Sequence, residues 1–150
     1  MATHDVLHGI GVSAGTAAAP AAIVQPAPGV DTSEPGSVDA AADGARVREA
    51  LATISSRLSE RAAKAPEETK AILKATAQLA GDRGLAKAVD KKLKKGLGIT
   101  QAVHDAVEDY AQMLRSLGGY MAERATDLYD VRDRAICELR GLPEPGVPAF

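Results

Sequence analysis

Between Val38 and Arg140 the apolar residues recur at helical spacing, and glycine or proline interrupts them only briefly. That pattern restricts the fold more than any other feature of the chain. Val47, Leu51, Ile54 and Leu58 follow one another at four, three and four residues, which places them on one face of a long first helix. The helix is expected to end near Ala65, because Pro66 disfavours helical geometry in the residue before it. Pro66 suits the first turn of the next helix, and Glu67 and Glu68 fall at that helix's positive end. Ile72, Leu73, Thr76 and Leu79 are predicted to form its buried stripe. A turn at Gly81-Asp82-Arg83-Gly84 leads to a third helix carrying Leu85, Val89 and Leu93, which Gly96-Leu97-Gly98 stops. Thr100 is the expected N-cap of a fourth helix, with Val103, Val107, Tyr110, Leu114 and Leu117 inward. Gly118-Gly119 separates it from a fifth helix, Tyr120 to Arg140, with Leu128, Val131, Ala135 and Leu139 inward and Gly141 as its cap.

Short breaks between amphipathic helices imply antiparallel neighbours, so the predicted fold is mainly α, an antiparallel bundle of two hairpins. The core is expected to be thin. Hydrophobic residues make up 45% of the chain but aromatic ones only 3%, and many of the rest are alanine, which favours helix but buries little area. No internal repeat emerges, and heptad spacing is too brief for an extended coiled coil. Ahead of the helices, Leu7 to Gln25 is rich in small and β-leaning residues and reads as two short strands around a glycine turn. Pro26 to Ser37, with three prolines and two glycines, reads as a loop.

Charge and composition exclude several function classes. A net charge of −2 points to neither nucleic acid nor membrane as partner. One cysteine, Cys137, rules out an intrachain disulfide and suits a reducing cytosol; its expected role is packing. No stretch reaches the roughly 18 apolar residues a membrane span needs, and the apolar run from Gly9 lacks the basic start of a secretion signal, so the expected location is cytoplasmic. Gly9-Ile10-Gly11-Val12-Ser13-Ala14-Gly15 has glycine spacing that can hold a dinucleotide phosphate, but Pro20 and a β-leaning stretch follow where a helix is required. His4, His8 and His104 have no second His or Cys at ligand spacing. His104 is expected to be a surface helical residue that does not face its neighbour Asp105. Lys87, Lys91, Lys92, Lys94 and Lys95 form a basic run that can bind phosphate-rich partners, though a solvated helix face also explains it. From these residues alone the chain is not read as an enzyme.

Three stretches, in order, resemble enzyme I of the bacterial phosphoenolpyruvate:sugar phosphotransferase system. Gly9 to Ala17 is similar to that family's first strand and turn, G-x-x-x-S-P-G-x-A, with Ala14 in place of proline. Glu67-Glu68-Thr69-Lys70-Ala71-Ile72-Leu73 looks like its E-E-x-x-A-I-F helix start. Tyr120 to Val131 resembles Y-L-x-E-R-A-x-D-[VIL]-x-D-[VIL] almost position for position.

The resemblance implies a parent phosphoenolpyruvate–protein phosphotransferase, which moves phosphate from phosphoenolpyruvate through a histidine of its own to the small carrier HPr in sugar uptake. Residues 31–141 would form the helical HPr-binding domain. Residues 1–30 would supply the first strands of an otherwise missing α/β phosphohistidine subdomain, and 142–150 a linker or its resumption. Phosphoenolpyruvate, Mg2+ and the homodimer contact would belong to a carboxyl-terminal barrel, with no cofactor in this part. The phosphorylated histidine lies in a G-G-x-T-S-H-type motif that does not occur here, so this part by itself is expected to be inactive. By position in the matched stretches, Glu67, Glu68 and Asp82 would meet basic groups of the carrier; Leu79, Leu85 and Met113 would offer apolar contact, and Arg124 a polar one. Ordinary core is the alternative role for Leu79 and Leu85, and an ion pair with Asp127 or Asp130 the alternative for Arg124. Strands from Leu7 to Gln25 that lack their partners are expected to pack poorly, stay disordered or pair with another copy. A stand-alone helical adaptor remains the rival reading, as does a paralogue serving a nitrogen-related or dihydroxyacetone phosphotransfer chain.

Overall fold

The structure, a computed structural model, describes residues 6–146; His4 and the last four positions of the proline-rich 142–150 stretch lie outside the described residues. Five helices follow one another among the described residues: α1 (Ala40–Lys64), α2 (Glu67–Ala80), α3 (Arg83–Lys94), α4 (Ile99–Leu117) and α5 (Gly119–Arg140). Each boundary has a local cause. Asp39 caps α1 by accepting the Ala42 N–H at 3.0 Å. Ala65 adopts extended geometry ahead of Pro66 and ends α1. Asp82 caps α3, and Gly141 closes α5 in the left-handed conformation at φ 66°.

α1 packs against α2 and α4 against α5, giving the two expected hairpins, while α3 lies between α1 and α4. Matching contacts run in opposite directions along each pair. In the first hairpin, Ser55 on α1 donates to the Ala77 carbonyl of α2. In the second, Tyr129 on α5 reaches Glu108 on α4. The core is built from the predicted faces of α1 and α3, with Val47, Leu51, Ile54, Leu58, Leu85, Val89 and Leu93 all buried. Val103, Val107, Leu128, Val131 and Ala135 join them, and six further alanines fill the gaps between helices. Cys137 is a buried packing residue.

Four expectations need correction. Ile72 is 56% exposed, because the inward face of α2 is made by Thr76, Ala77 and Ala80 instead. Leu117, the last residue of α4, is 64% exposed. Thr100 does not cap α4: the helix begins at Ile99, and the carboxylate of Glu34 accepts the Thr100 and Gln101 N–H groups at 3.0–3.1 Å. The buried Thr100 hydroxyl instead accepts from Arg140 at 3.0 Å. His104 Nδ1 lies 3.0 Å from Asp105 Oδ1, so these adjacent side chains do meet, and the histidine is half-buried.

The two expected strands do not form. Among the described residues before the helices, the backbone makes a single antiparallel bridge, Gln25 with Gly146, and Leu7, Ile10 and Val12 stay exposed. Of the outcomes expected for this segment, the described residues show the poorly packed one.

Candidate functional site

On α2, Glu68, Ile72 and Leu79 stand four and seven residues apart, so they share one face. The buried Thr76, Ala77 and Ala80 turn away from it toward α1. Glu67, at the start of the same helix, is almost fully exposed, and its one ion pair among the described residues is to Lys70 at 3.4 Å. Two carboxylates at a helix N-terminus are favourably placed against the helix dipole and remain free to meet an incoming cation. Leu79 rests partly against the core and partly in solvent.

Asp82 continues this surface where α2 gives way to α3. One carboxylate oxygen accepts the Gly84 and Leu85 N–H groups at 2.5 and 3.1 Å, which fixes its position. The Tyr110 phenol of α4 lies beside Gly84 at the start of α3, and burial first, then the Asp82 charge, holds its pKa above the ordinary value. This contact ties the start of α3 to α4. One turn along α4 stands Met113, 45% exposed.

Leu85 points the other way. It is 1% exposed and packed in the core, so its side chain is not part of any surface. Of the two roles open to it, the structure places it in the core one. Arg124 is held from both sides. It pairs with Asp127 at 2.8 Å, its guanidinium lies 4.4 Å from the Tyr120 ring centre, and it also bonds the Tyr120 hydroxyl. Asp130, the other possible partner, is taken by Arg134 at 2.7 Å. No described hydrogen bond or ion pair joins Glu67 or Glu68 to the Met113–Arg124 region.

Reasoning from spacing missed Ile72, Leu117, Tyr120 and Met121, all exposed apolar residues beside those named above. A signal was present for Ile72. Thr76, Ala77 and Ala80 complete a helical stripe without it, but alanines carry little weight when apolar faces are read from large residues. Apolar side chains are thus exposed on α2 and at the junction of α4 and α5. Among the described residues no group of three His, Cys, Asp or Glu gathers to hold a metal ion. The only thiol is buried, and that burial pushes its pKa up, away from nucleophilic form. No described helix is long and apolar enough to cross a membrane.

Residues 8–124 match the family described as PEP-utilising enzyme, N-terminal. A phosphoenolpyruvate-protein phosphotransferase of Streptomyces coelicolor is 37% identical over 110 residues, which is 73% of this chain and 20% of that protein. A second, from Haloferax volcanii, is 33% identical over 89 residues, 54% of this chain and 16% of that protein. The chain thus spans about a fifth of the length of these relatives. Among solved structures, an enzyme I protein studied in solution superposes with a TM-score of 0.61 at 30% identity, covering 72% of this chain and 47% of that one. The N-terminal domain of a nitrogen-type enzyme I superposes with the same TM-score at 27% identity, covering 81% and 60%. With the helical fold and the family match agreeing over most of its length, the chain belongs to the N-terminal family of PEP-utilising enzymes, among the enzyme I N-terminal domains.

Proposed function

We propose that this domain docks the phosphocarrier HPr, so that a phosphohistidine of the parent phosphotransferase can pass phosphate to it. The observation that carries the reading is the exposure of Ile72, with the half-buried Leu79, on the α2 face that also bears Glu68, beside Glu67 and Asp82. A large apolar side chain left out of the core, with a second only half covered and both edged by acids, suits a partner with an apolar centre and a basic rim. Met113, Leu117, Tyr120 and Met121 are a second set of exposed apolar side chains, with Arg124 stacked on Tyr120 among them. Leu85 contributes by packing, holding the start of α3 and with it Asp82.

A carrier that must leave after every transfer needs a modest interface with fast, charge-assisted encounter. Acidic groups that are exposed and only lightly paired supply the steering. Phosphoryl transfer from phosphoenolpyruvate, Mg2+, dimerisation and the link to sugar uptake are assigned to the parent protein, and by itself this domain is expected to bind without transferring.

The test is a titration of isotopically labelled chain with unphosphorylated HPr at low salt, followed by amide shifts. Shifts confined to Glu67–Asp82 and Met113–Arg124 are expected, and Ile72→Ala should weaken binding by about tenfold, some 1.4 kcal/mol, without loss of helix content. Shifts absent at millimolar carrier, or spread over α1, would favour an adaptor with another partner.

A further inference from the structure

The basic run on α3 is not accounted for by docking through the acidic face. Lys87, Lys91 and Lys95 recur at every fourth residue, so they form one stripe with side chains about 6 Å apart. They line a groove of about 470 Å³ between α3 and α4, with Lys92 beside them and Ala88 and the Tyr110 ring as its less polar floor. Acids that might balance this charge are already engaged. Asp90 holds Arg48 at 2.9 Å, and Asp109 holds Lys92 at 2.7 Å. Among the described residues Lys87, Lys91 and Lys95 make no ion pair, and all three are exposed. Lysines near a helix C-terminus gain from the dipole, but that effect fades within the last turn, and Lys87 stands well before it. Like charges four residues apart repel, so the stripe is costly unless an anion joins it.

We propose that this groove binds a small organic molecule bearing two separated phosphoryl groups. Each phosphate ester carries about −1.5 to −2 charge near neutral pH. Two of them balance the three unpaired ammonium groups with the fourth lysine in support. Lysine is a ready phosphate ligand as a point charge, and the stripe spans about 12 Å from Lys87 to Lys95. The volume is that of a metabolite site, and Ala88 with the Tyr110 ring can cover a carbon skeleton between the phosphates. A long acidic peptide fits less well. Past one end of the groove it would meet the Asp82 carboxylate, and past the other the negative end of the α3 dipole. Nucleic acid is disfavoured by the net charge of −2. This site stands independently of the docking reading.

The test is a titration of the labelled full chain with fructose 1,6-bisphosphate as probe, beside inorganic phosphate and a glutamate-rich peptide, at about 0.05 M salt. Saturable amide shifts are expected over Lys87–Lys95 and at Asp109 and Tyr110, with inorganic phosphate at least about tenfold weaker. The triple variant K87Q/K91Q/K95Q should lose about tenfold or more in affinity, whereas K64Q/K74Q should bind like the parent chain. A far-UV melt checks each variant's fold, and K91Q alone, expected about threefold weaker, serves if the triple variant is unfolded. Absent or unsaturable shifts, undiminished binding by the lysine variants, equal affinity for inorganic phosphate, or tighter binding of the peptide would each overturn the proposal.

Discussion

Single residues here carry roles that their types alone do not announce. Glu34 lies in the loop before the helices, yet its carboxylate takes the first free N–H groups of α4, 66 residues on in the chain. That satisfies donors which Gly98, without a side chain, cannot reach. Glu34→Ala should cost about 1–2 kcal/mol in urea unfolding and speed amide exchange at Thr100 and Gln101. Leu85 shows the opposite displacement, from an expected surface contact to the core. Leu85→Ala should destabilise the domain by about 2–5 kcal/mol, measurable by thermal melting, as a large-to-small change in a closed core does. If the variant instead kept full stability and lost only HPr affinity, the assignment of Leu85 to packing would be wrong. Arg124 is intermediate: its two partners, Tyr120 and Asp127, lie within one turn on α5, so they set its direction without fixing what it meets.

The elements were legible because their ends are chemical. Proline after α1, the Gly81–Asp82 break before α3 and paired glycines after α4 each stop a helix for a reason that sequence displays. The α4–α5 break depends on Gly118 most directly. Its φ of 71° and ψ of −177° lie where only glycine is at ease, and a methyl group there would meet no neighbour within 4 Å. The cost of Gly118→Ala is therefore backbone strain alone, about 1–3 kcal/mol by denaturant unfolding, with helix content retained. The faces of α1 and α3 were legible too, since large aliphatic residues mark them. On α2 and α4 alanines share the inward face, so the large residues misled: Ile72 and Leu117 turn out to solvent and become part of the proposed site.

At the scale of the molecule, the chain on either side of the bundle is tied down by charge. Glu144, beyond α5, is gripped by Arg61 of α1 and by Arg134 of α5, the latter at 2.5 Å. Next to it Gly146 bridges Gln25, and Arg140 donates to the Gly29 carbonyl at 2.9 Å. Burial by itself would raise the Glu144 pKa, but the two arginines outweigh it and hold the carboxyl below its ordinary value of 4.5. A lowered carboxyl pKa stabilises the fold above the unfolded value, and that contribution disappears as pH falls through the folded one. Glu144→Gln should thus cost about 1 kcal/mol near neutral pH, and its melting curve should converge on the parent's as pH falls through the lowered folded value. Residues 40–140 read as a five-helix bundle, and their kinship with enzyme I, followed from sequence alone, because helical period, helix stops and short motifs are local. Which apolar side chains were left outside, which carboxylates were spent on arginine or helix caps, and that Leu7 to Val24 forms no ladder were decided only by tertiary structure. Burial and pairing depend on what the rest of the chain brings alongside, and in an alanine-rich bundle the spacing of large residues does not specify it.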